Sequence, residues 1–145
     1  MNPILGIDFG QARIGLAISD ELRFLAHPLQ TIPSNSSSVN KIAEIVRDRR
    51  VEIVVVGIPR HMSGKVGAAA NAALEFTDRL RAQLRCPVET WDERLSTVAA
   101  ERALREAGRK THQTRQVVDQ VAAQMILQSY LDREGGTGST DASEK

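Results

Sequence analysis

Residues 52–57 read Glu-Ile-Val-Val-Val-Gly, and this stretch decides the fold class. A continuous β-branched run between a charge and a glycine is typical of a strand buried on both faces, as in a parallel sheet covered by helices. Apolar residues recur at helical spacing on either side of the run, from Val39 to about Arg49 and from Gly67 to Leu84. The sequence therefore predicts a central strand flanked by two helices.

Toward the N-terminus, two short apolar runs predict a β-hairpin. Ile4–Phe9 and Ile14–Ile18 are separated by four residues, a gap too short for a crossover connection. Phe24–Ile32 predicts a third strand, in which Pro28 marks either the start of the strand or an edge position. These three strands should pair antiparallel.

Toward the C-terminus, Pro87–Trp91 predicts a last short strand, followed by a helix over Leu95–Ala107 that Gly108 would cap. A final helix, capped by Thr111 or Thr114, should run to about Leu131. Three antiparallel strands followed by βαβ units predict an α/β domain with helices against a mixed sheet. The domain should span residues 1–133, and the Gly/Ser/Thr/Asp-rich segment 134–145 predicts a disordered tail.

The composition is that of an ordinary globular protein. Of the 145 residues, 41% are hydrophobic and 26% are charged. No apolar run approaches the roughly 20 residues that a membrane-spanning helix needs, so we expect no membrane partner. The one cysteine, Cys86, cannot form an internal disulfide, which predicts a reducing, cytoplasmic location.

The net charge of +1 conceals a basic stretch. Between Arg102 and Arg115, five Arg or Lys residues stand against one acid, Glu106, so the local net charge is +4. A polyanion such as nucleic acid would be attracted to this stretch. The same pattern is typical of a solvated helix face, and charge alone leaves both interpretations open.

Asp8 is an acid within a predicted strand that is otherwise apolar. Strand alternation places it on the same face as Ile4 and Gly6. A carboxylate in a central strand is costly unless it is paired or bound to a metal. A structural role is the alternative, in which Asp8 accepts backbone N–H bonds from the turn at Gly10.

Two further acids lie beside apolar segments. Glu93 follows the strand that ends at Trp91, where catalytic groups gather in such sheets, although an acid in the first turn of a helix is also an ordinary partner of the helix dipole. Asp119 borders the apolar stripe of the last helix, with a salt bridge to Arg115 as the structural alternative. Since no His/Cys cluster suggests zinc, three such acids suit Mg²⁺ or Mn²⁺.

Several sequence blocks in order along the chain carry a family resemblance. They are Asp8-Phe9-Gly10, Arg13-Ile14-Gly15, Gly57-Ile58-Pro59, Asp92–Thr97 and Asp119-x-x-Ala122-Ala123-x-x-Ile126-Leu127-Gln128. From Ile4 to Leu131 the chain closely resembles the YqgF family, also called the RuvX family. This resemblance implies a ribonuclease H-like fold with five strands in a mixed sheet, and metal-dependent nuclease activity on structured nucleic acid.

The resemblance also implies residue roles and partners. The family's catalytic and metal-binding acids fall on Asp8, Glu93 and Asp119, with Asp8 as the expected bridging ligand. Family members are associated with maturing the 5′ end of pre-16S rRNA, so pre-rRNA and ribosomal particles are the expected partners of a monomer or homodimer. Two alternatives stay open. One is a Holliday junction resolvase on branched DNA, which would have to be dimeric to cut symmetrically, and the other is a ribosome- or transcription-associated nucleic-acid-binding factor that cuts little.

Five residues are candidates for substrate contacts. Arginine forks match phosphate geometry and lysine supplies a point charge, although each of these cations is equally compatible with a solvated surface position. Thr97 could donate a hydrogen bond to the substrate backbone, or it could be structural. The candidates are Arg13, Arg94, Thr97, Arg109 and Lys110.

One loop departs from the family pattern. After Gly57-Ile58-Pro59 the family usually carries Asn-Met and an acidic or amide residue before Gly-Ser, whereas this chain has Arg60-His61-Met62-Ser63-Gly64-Lys65. The sequence alone assigns this loop no role.

Overall fold

The computed structural model describes residues 1–61, 63–98 and 112–144, and within them five strands form one sheet. The strands are β1 (Ile4–Phe9), β2 (Arg13–Ser19), β3 (Ala26–Pro33), β4 (Ile53–Ile58) and β5 (Val88–Asp92). The helices are α1 (Ser38–Arg49), α2 (Ala68–Gln83) and α3 (His112–Glu144), and a 3₁₀ turn spans Glu93–Leu95. The strand order is β3-β2-β1-β4-β5. β1 pairs antiparallel with β2 and parallel with β4, which confirms the predicted mixed α/β sheet.

β4 is buried on both faces, as its continuous apolar sequence predicted. Val54 and Val56 pack into the core that the sheet forms with α1 and α2, and Val55 packs into the core beneath α3. Alternate residues of one strand therefore supply two cores on opposite sides of the sheet.

β3 is an edge strand, and Pro28 lies within it. The register pairs Ala17 with Pro28 but Leu16 with Gln30, so β3 carries an extra residue at this point. Proline has no N–H to donate to a ladder and is confined to edges and bulges. The edge position of β3 therefore agrees with the one predicted from Pro28.

Helix α3 lies close against β1 and β2 because small residues face it. A Cβ at Gly6 would come within 2.7 Å of the Leu127 Cβ, and one at Gly15 would overlap the backbone carbonyl of Asp119. Gly15 is paired in register with Asp8. The close packing of α3 on β2 therefore fixes the distance of Asp119 from the sheet at the Asp8–Gly15 pair.

The last helix differs from its predicted length. Its end was expected near Leu131, whereas α3 extends to Glu144. The glycines at 135 and 136 favoured coil, because each costs about 1 kcal/mol relative to alanine in a helix interior. The assignment of residues 134–145 to a disordered tail outside the domain stays a prediction.

Part of another predicted helix lies outside the described residues. Of Leu95–Ala107 only residues 95–98 are described, and the predicted cap Gly108 is not. None of the described helices combines the length and the apolar character needed to cross a membrane.

Candidate active site

Asp8 is a buried carboxylate near the end of the central strand, with 6% of its surface exposed. Residues paired in an antiparallel register point to the same face, so Asp8 shares the α3 side of the sheet with Gly15. Ile4 and Gly6 also contact the core beneath α3, which confirms the face predicted for Asp8. Burying an ionised carboxylate costs several kcal/mol before compensation, so a pairing or ligand role is favoured at this position.

Glu93 begins the 3₁₀ turn after β5 and is more deeply buried, at 2% exposure. The hydroxyl of Ser96 donates to the Glu93 carbonyl oxygen over 2.9 Å and closes the turn. The side chain extends to Gly57 of β4, where an added Cβ would lie 3.1 Å from the Glu93 Oε2 atom. Gly57 therefore leaves room for the carboxylate, and its burial distinguishes Glu93 from an ordinary surface acid in the first turn of a helix.

Asp119 lies over β2 and is joined to Arg13. The Arg13 Nε atom donates to the Asp119 Oδ2 atom over 2.7 Å, and both side chains are partly buried. This ion pair links an expected metal ligand to an expected phosphate contact. The side chain of Arg115, the alternative partner of Asp119, lies outside the described part of the chain.

The three acids share one face of the sheet, across three adjacent strands. Asp119 packs on Gly15 of β2, Asp8 lies on β1, and Glu93 packs on Gly57 of β4. The parallel register aligns Ile7 with Val56, so Gly57 is the neighbour of Asp8 on the next strand. The carboxylates of Asp8 and Glu93 therefore lie on neighbouring strands, beneath the same helix.

The donor chemistry at this face suits a hard divalent cation, because the three acids offer only carboxylate oxygens and two of them are buried. Among the described residues, however, no group of three or more His, Cys, Asp or Glu side chains is arranged to hold a metal ion. The guanidinium of Arg13 neutralises Asp119. A cation bound at Asp119 would therefore either share this carboxylate with Arg13 or displace Arg13 from it.

Arg94 is held by the residue that precedes Glu93. Its Nη2 atom donates to the Asp92 Oδ2 atom over 2.7 Å, and its Nε atom lies 3.1 Å from each oxygen of that carboxylate. Hydrogen bonds from the Arg94 side chain lower the pKa of Asp92 in spite of partial burial, and the same bonds raise the pKa of Arg94. Both groups are therefore charged at neutral pH.

Sequence reasoning did not single out Asp92 and gave no role to Arg60. In the structure the Arg60 Nε atom lies 3.9 Å from the same Asp92 Oδ2 atom. The backbone N–H of Arg94 also donates to Asp92 over 2.9 Å, a cap geometry that the Asp-x-Arg spacing is able to signal. No pattern in the sequence signals the contact with Arg60, because Arg60 follows β4 whereas Asp92 ends β5.

The remaining substrate candidates are not brought to the acids by the described structure. Thr97 is exposed, and its Oγ1 atom lies 3.6 Å from the Met125 sulfur, about 9 Å along α3 from Asp119. Thr97 and Met125 help to line a groove of about 410 Å³ between the 3₁₀ turn and α3. Arg109 and Lys110 lie outside the described residues. The substrate contacts of these three residues stay predictions.

Comparison with known proteins identifies relatives over nearly the whole chain. The matching family is described as "RuvX: Holliday junction resolvase" and covers residues 2–133. Curated relatives are named "Putative pre-16S rRNA nuclease". One from Chloroflexus aggregans is 50% identical over 131 residues, or 89% of this chain and 92% of the relative. Another, from Moorella thermoacetica, is 47% identical over 137 residues, or 93% and 98% of the two chains.

Solved structures share the fold at low sequence identity. RuvC from T. thermophilus, in complex with a Holliday junction substrate, has a TM-score of 0.57 at 17% identity and covers 94% of this chain and 98% of its own. Fowlpox virus resolvase, in complex with Holliday junction DNA, has a TM-score of 0.51 at 11% identity and covers 90% of this chain and 97% of its own. These likenesses confirm the predicted ribonuclease H-like fold. The match to the family over residues 2–133, together with relatives that are up to 50% identical, shows that the chain belongs to the RuvX (YqgF) family.

Proposed function

We propose that this chain is a metal-dependent endonuclease that hydrolyses phosphodiester bonds in structured nucleic acid, and that it processes the 5′ end of pre-16S rRNA during ribosome biogenesis. The observation that carries the proposal is the burial of two carboxylates, Asp8 and Glu93, on one face of the sheet with Asp119 beside them. The names of the curated relatives support an rRNA substrate. The one cysteine of the sequence supports a reducing, cytoplasmic setting.

In this proposal, Asp8, Glu93 and Asp119 hold Mg²⁺ or Mn²⁺. Ions held by these residues would supply activation of a water molecule and stabilisation of the leaving oxygen in a displacement at phosphorus. Asp8 takes the central place, because its strand lies between those that carry Gly15 and Gly57. Ile126 of α3 packs on Gly57 beside Glu93 and excludes water from that side of the carboxylates.

Arg13 couples the acids to the substrate. Its guanidinium donates to Asp119 before the substrate arrives. A phosphate of the nucleic-acid backbone offers the guanidinium an equivalent acceptor, so Arg13 can transfer to it and leave Asp119 to ligate a cation. Arg94, which Asp92 orients, would donate to a further phosphate.

A Holliday junction resolvase is the second candidate, and the description of the matching family favours it. Symmetric cutting of a four-way junction needs two active sites related by a two-fold axis, so this function requires a dimer. The third candidate is a nucleic-acid-binding factor that cuts little. It would bind nucleic acid through the same residues as the proposed nuclease but turn over much less substrate.

One assay separates these functions. The purified chain is incubated with Mn²⁺ and either an RNA spanning the 5′ boundary of 16S rRNA or a four-way DNA junction, with EDTA as the control. We expect cleavage of the RNA that EDTA abolishes, and little cutting of the junction. Paired, symmetric cuts in the junction by a dimer would instead establish the resolvase. Tight binding of either substrate without cutting would contradict the nuclease and favour the factor.

A further inference from the structure

We propose that Arg60 and Arg94 together bind one phosphate group of the nucleic-acid backbone, immediately beside the candidate active site. This inference rests on the proposed function and adds to it a second anchor for the substrate. It also gives a role to the loop at residues 60–65, whose sequence departs from the family pattern.

The sheet register brings the two arginines to one edge. β4 and β5 are parallel, and Ile58 is paired with Asp92. Arg60 lies two residues after Ile58 in the chain, and Arg94 lies two residues after Asp92. Neighbouring strands are about 4.8 Å apart, so the register alone places the two side chains within reach of a shared partner. Glu93 leaves the same strand end and turns inward.

Asp92 is hydrogen-bonded to the Arg94 guanidinium and lies within ion-pair distance of the Arg60 guanidinium. Arg94 donates to its two oxygens over 2.7–3.1 Å, and the Arg60 Nε atom lies 3.9 Å from the Oδ2 atom. Two positive charges meet one negative charge, so the cluster keeps a net charge of +1 beside the buried carboxylates. The side chains of Arg60 and Arg94 are 32% and 33% exposed, so part of each is in contact with solvent.

The loop that follows Arg60 also comes close to Arg94. The Gly64 N–H donates to the His61 carbonyl over 2.7 Å, and the His61 N–H donates to the Lys65 carbonyl over 3.1 Å. Gly64 has a φ of +91°, a left-handed conformation that side chains rarely adopt. A Cβ there would lie 3.4 Å from the Arg94 Nη1 atom. Gly64 therefore lies close to the Arg94 guanidinium, and the same loop carries the cationic residue Lys65.

A phosphate is the ligand that this arrangement fits. Guanidinium forks match the tetrahedral oxygens of phosphate in a bidentate way, and guanidinium groups that are already oriented lose less entropy when they bind. A purely structural ion-pair cluster would contribute to folding and leave nucleic-acid binding unchanged. Salt dependence separates the two roles, because each phosphate contact adds to the slope of log K against log salt.

The test measures binding of a labelled RNA hairpin by fluorescence anisotropy in EDTA, over a series of salt concentrations. The variants are Arg60→Ala, Arg94→Ala, the double variant and Arg60→Lys. Arg47→Ala is the matched control, since Arg47 pairs with Asp48 on α1 and its side chain is 72% exposed. Thermal unfolding of each variant establishes that it is folded.

We expect each single alanine variant to weaken binding by about five- to tenfold and to lower the salt slope by about one. The affinity and the salt slope of the double variant should be little lower than those of the single variants, because both arginines serve one phosphate. Arg60→Lys should keep the slope, and Arg47→Ala should match the wild type. An unchanged slope in folded Arg60→Ala, or a fall of about two in the double variant, would overturn the shared site. Because EDTA prevents metal-dependent cutting, these results are independent of whether the chain cleaves RNA.

Discussion

At the scale of single residues, the ion pair of Arg13 and Asp119 should affect how the candidate site binds metal and substrate. The carboxylate that should complete a metal site is neutralised by the arginine that should bind phosphate. While the pair persists, each charge partly cancels the other and weakens its attraction for the expected ligand. Binding of a cation to Asp119 and binding of a phosphate to Arg13 should therefore favour each other.

Replacing Arg13 with alanine is expected to tighten Mn²⁺ binding by about tenfold in the absence of nucleic acid. Two unit charges 4 Å apart interact by about 1 kcal/mol in water and about 4 kcal/mol near a protein surface, and about 1.4 kcal/mol corresponds to a factor of ten. The same substitution should weaken RNA binding, since a phosphate contact is lost. Titration calorimetry with Mn²⁺ measures the first effect and anisotropy measures the second.

Arg23→Ala is the matched control for this experiment. Arg23 also forms an ion pair, through its Nη2 atom to Glu52 over 2.6 Å, but it belongs to the β2–β3 turn near the start of β1. Its removal should leave Mn²⁺ affinity unchanged. Equal Mn²⁺ affinity in the wild type and Arg13→Ala would show that the Arg13 pair does not restrain Asp119.

At the scale of the elements, the contact of α3 with β2 positions the site. Gly15 has no side chain, and the backbone of Asp119 occupies the space that a Cβ would take. We expect Gly15→Ala to lower the free energy of unfolding by about 1–3 kcal/mol, because the helix has to move away from the strand. Urea unfolding measures this effect. The exposed Ser36→Ala should stay within about 0.5 kcal/mol of the wild type, and a Gly15→Ala variant of equal stability would contradict the close packing.

Tyr130 ties the other half of α3 to β5 and makes the stability depend on alkaline pH. Burial and the hydrogen bond donated to Glu89 over 2.9 Å raise the pKa of Tyr130. An unfolded tyrosine deprotonates near pH 10, so the contribution of Tyr130 is present below about pH 10 and is lost as the pH rises further. Tyr130→Phe should cost about 1 kcal/mol at pH 7 and reduce the fall in stability above pH 10.

Tyr130 is the only tyrosine in the sequence, so its phenolate absorbance reports on this prediction directly. The signal at 295 nm should appear together with unfolding during an alkaline titration. Deprotonation near pH 10 in a protein that is still folded would show that Tyr130 is not held by Glu89.

The elements themselves were largely predictable, and the reasons are local. The β-branched run of β4 and the short gap between β1 and β2 each specify a strand without reference to the rest of the chain. Pro28 marked an edge because proline cannot donate a ladder hydrogen bond. The extension of α3 past Leu131 was not predicted, since the glycines after it argue locally against a helix.

At the scale of the whole molecule, the candidate site joins residues that are distant in sequence. Asp8, Glu93 and Asp119 come from a strand, a 3₁₀ turn and a helix. Their residue types and the family blocks single them out as candidate metal ligands. Their burial, and the packing of two of them on Gly15 and Gly57, depended on the tertiary structure.

The ion pairs of the site were beyond prediction for the same reason. Arg13 and Asp119 are 106 positions apart, so no helical or strand spacing relates them. Arg60 and Asp92 meet because β4 and β5 are neighbours in the sheet, which fixes the side chains that follow each strand. Such contacts follow from the topology of the sheet and are not encoded in any short segment.

We propose that buried carboxylates, beginning with Asp8, hold the divalent ions that cleavage requires. The most direct measurement is the rate at which Asp8→Asn cleaves the pre-16S RNA substrate with Mn²⁺ present, alongside its RNA affinity and its unfolding curve. Asparagine keeps the size of the side chain and removes the charge, so we expect a loss of at least about a thousandfold in cleavage, with folding and RNA binding close to those of the wild type. Turnover at the wild-type rate in a folded Asp8→Asn protein would contradict it.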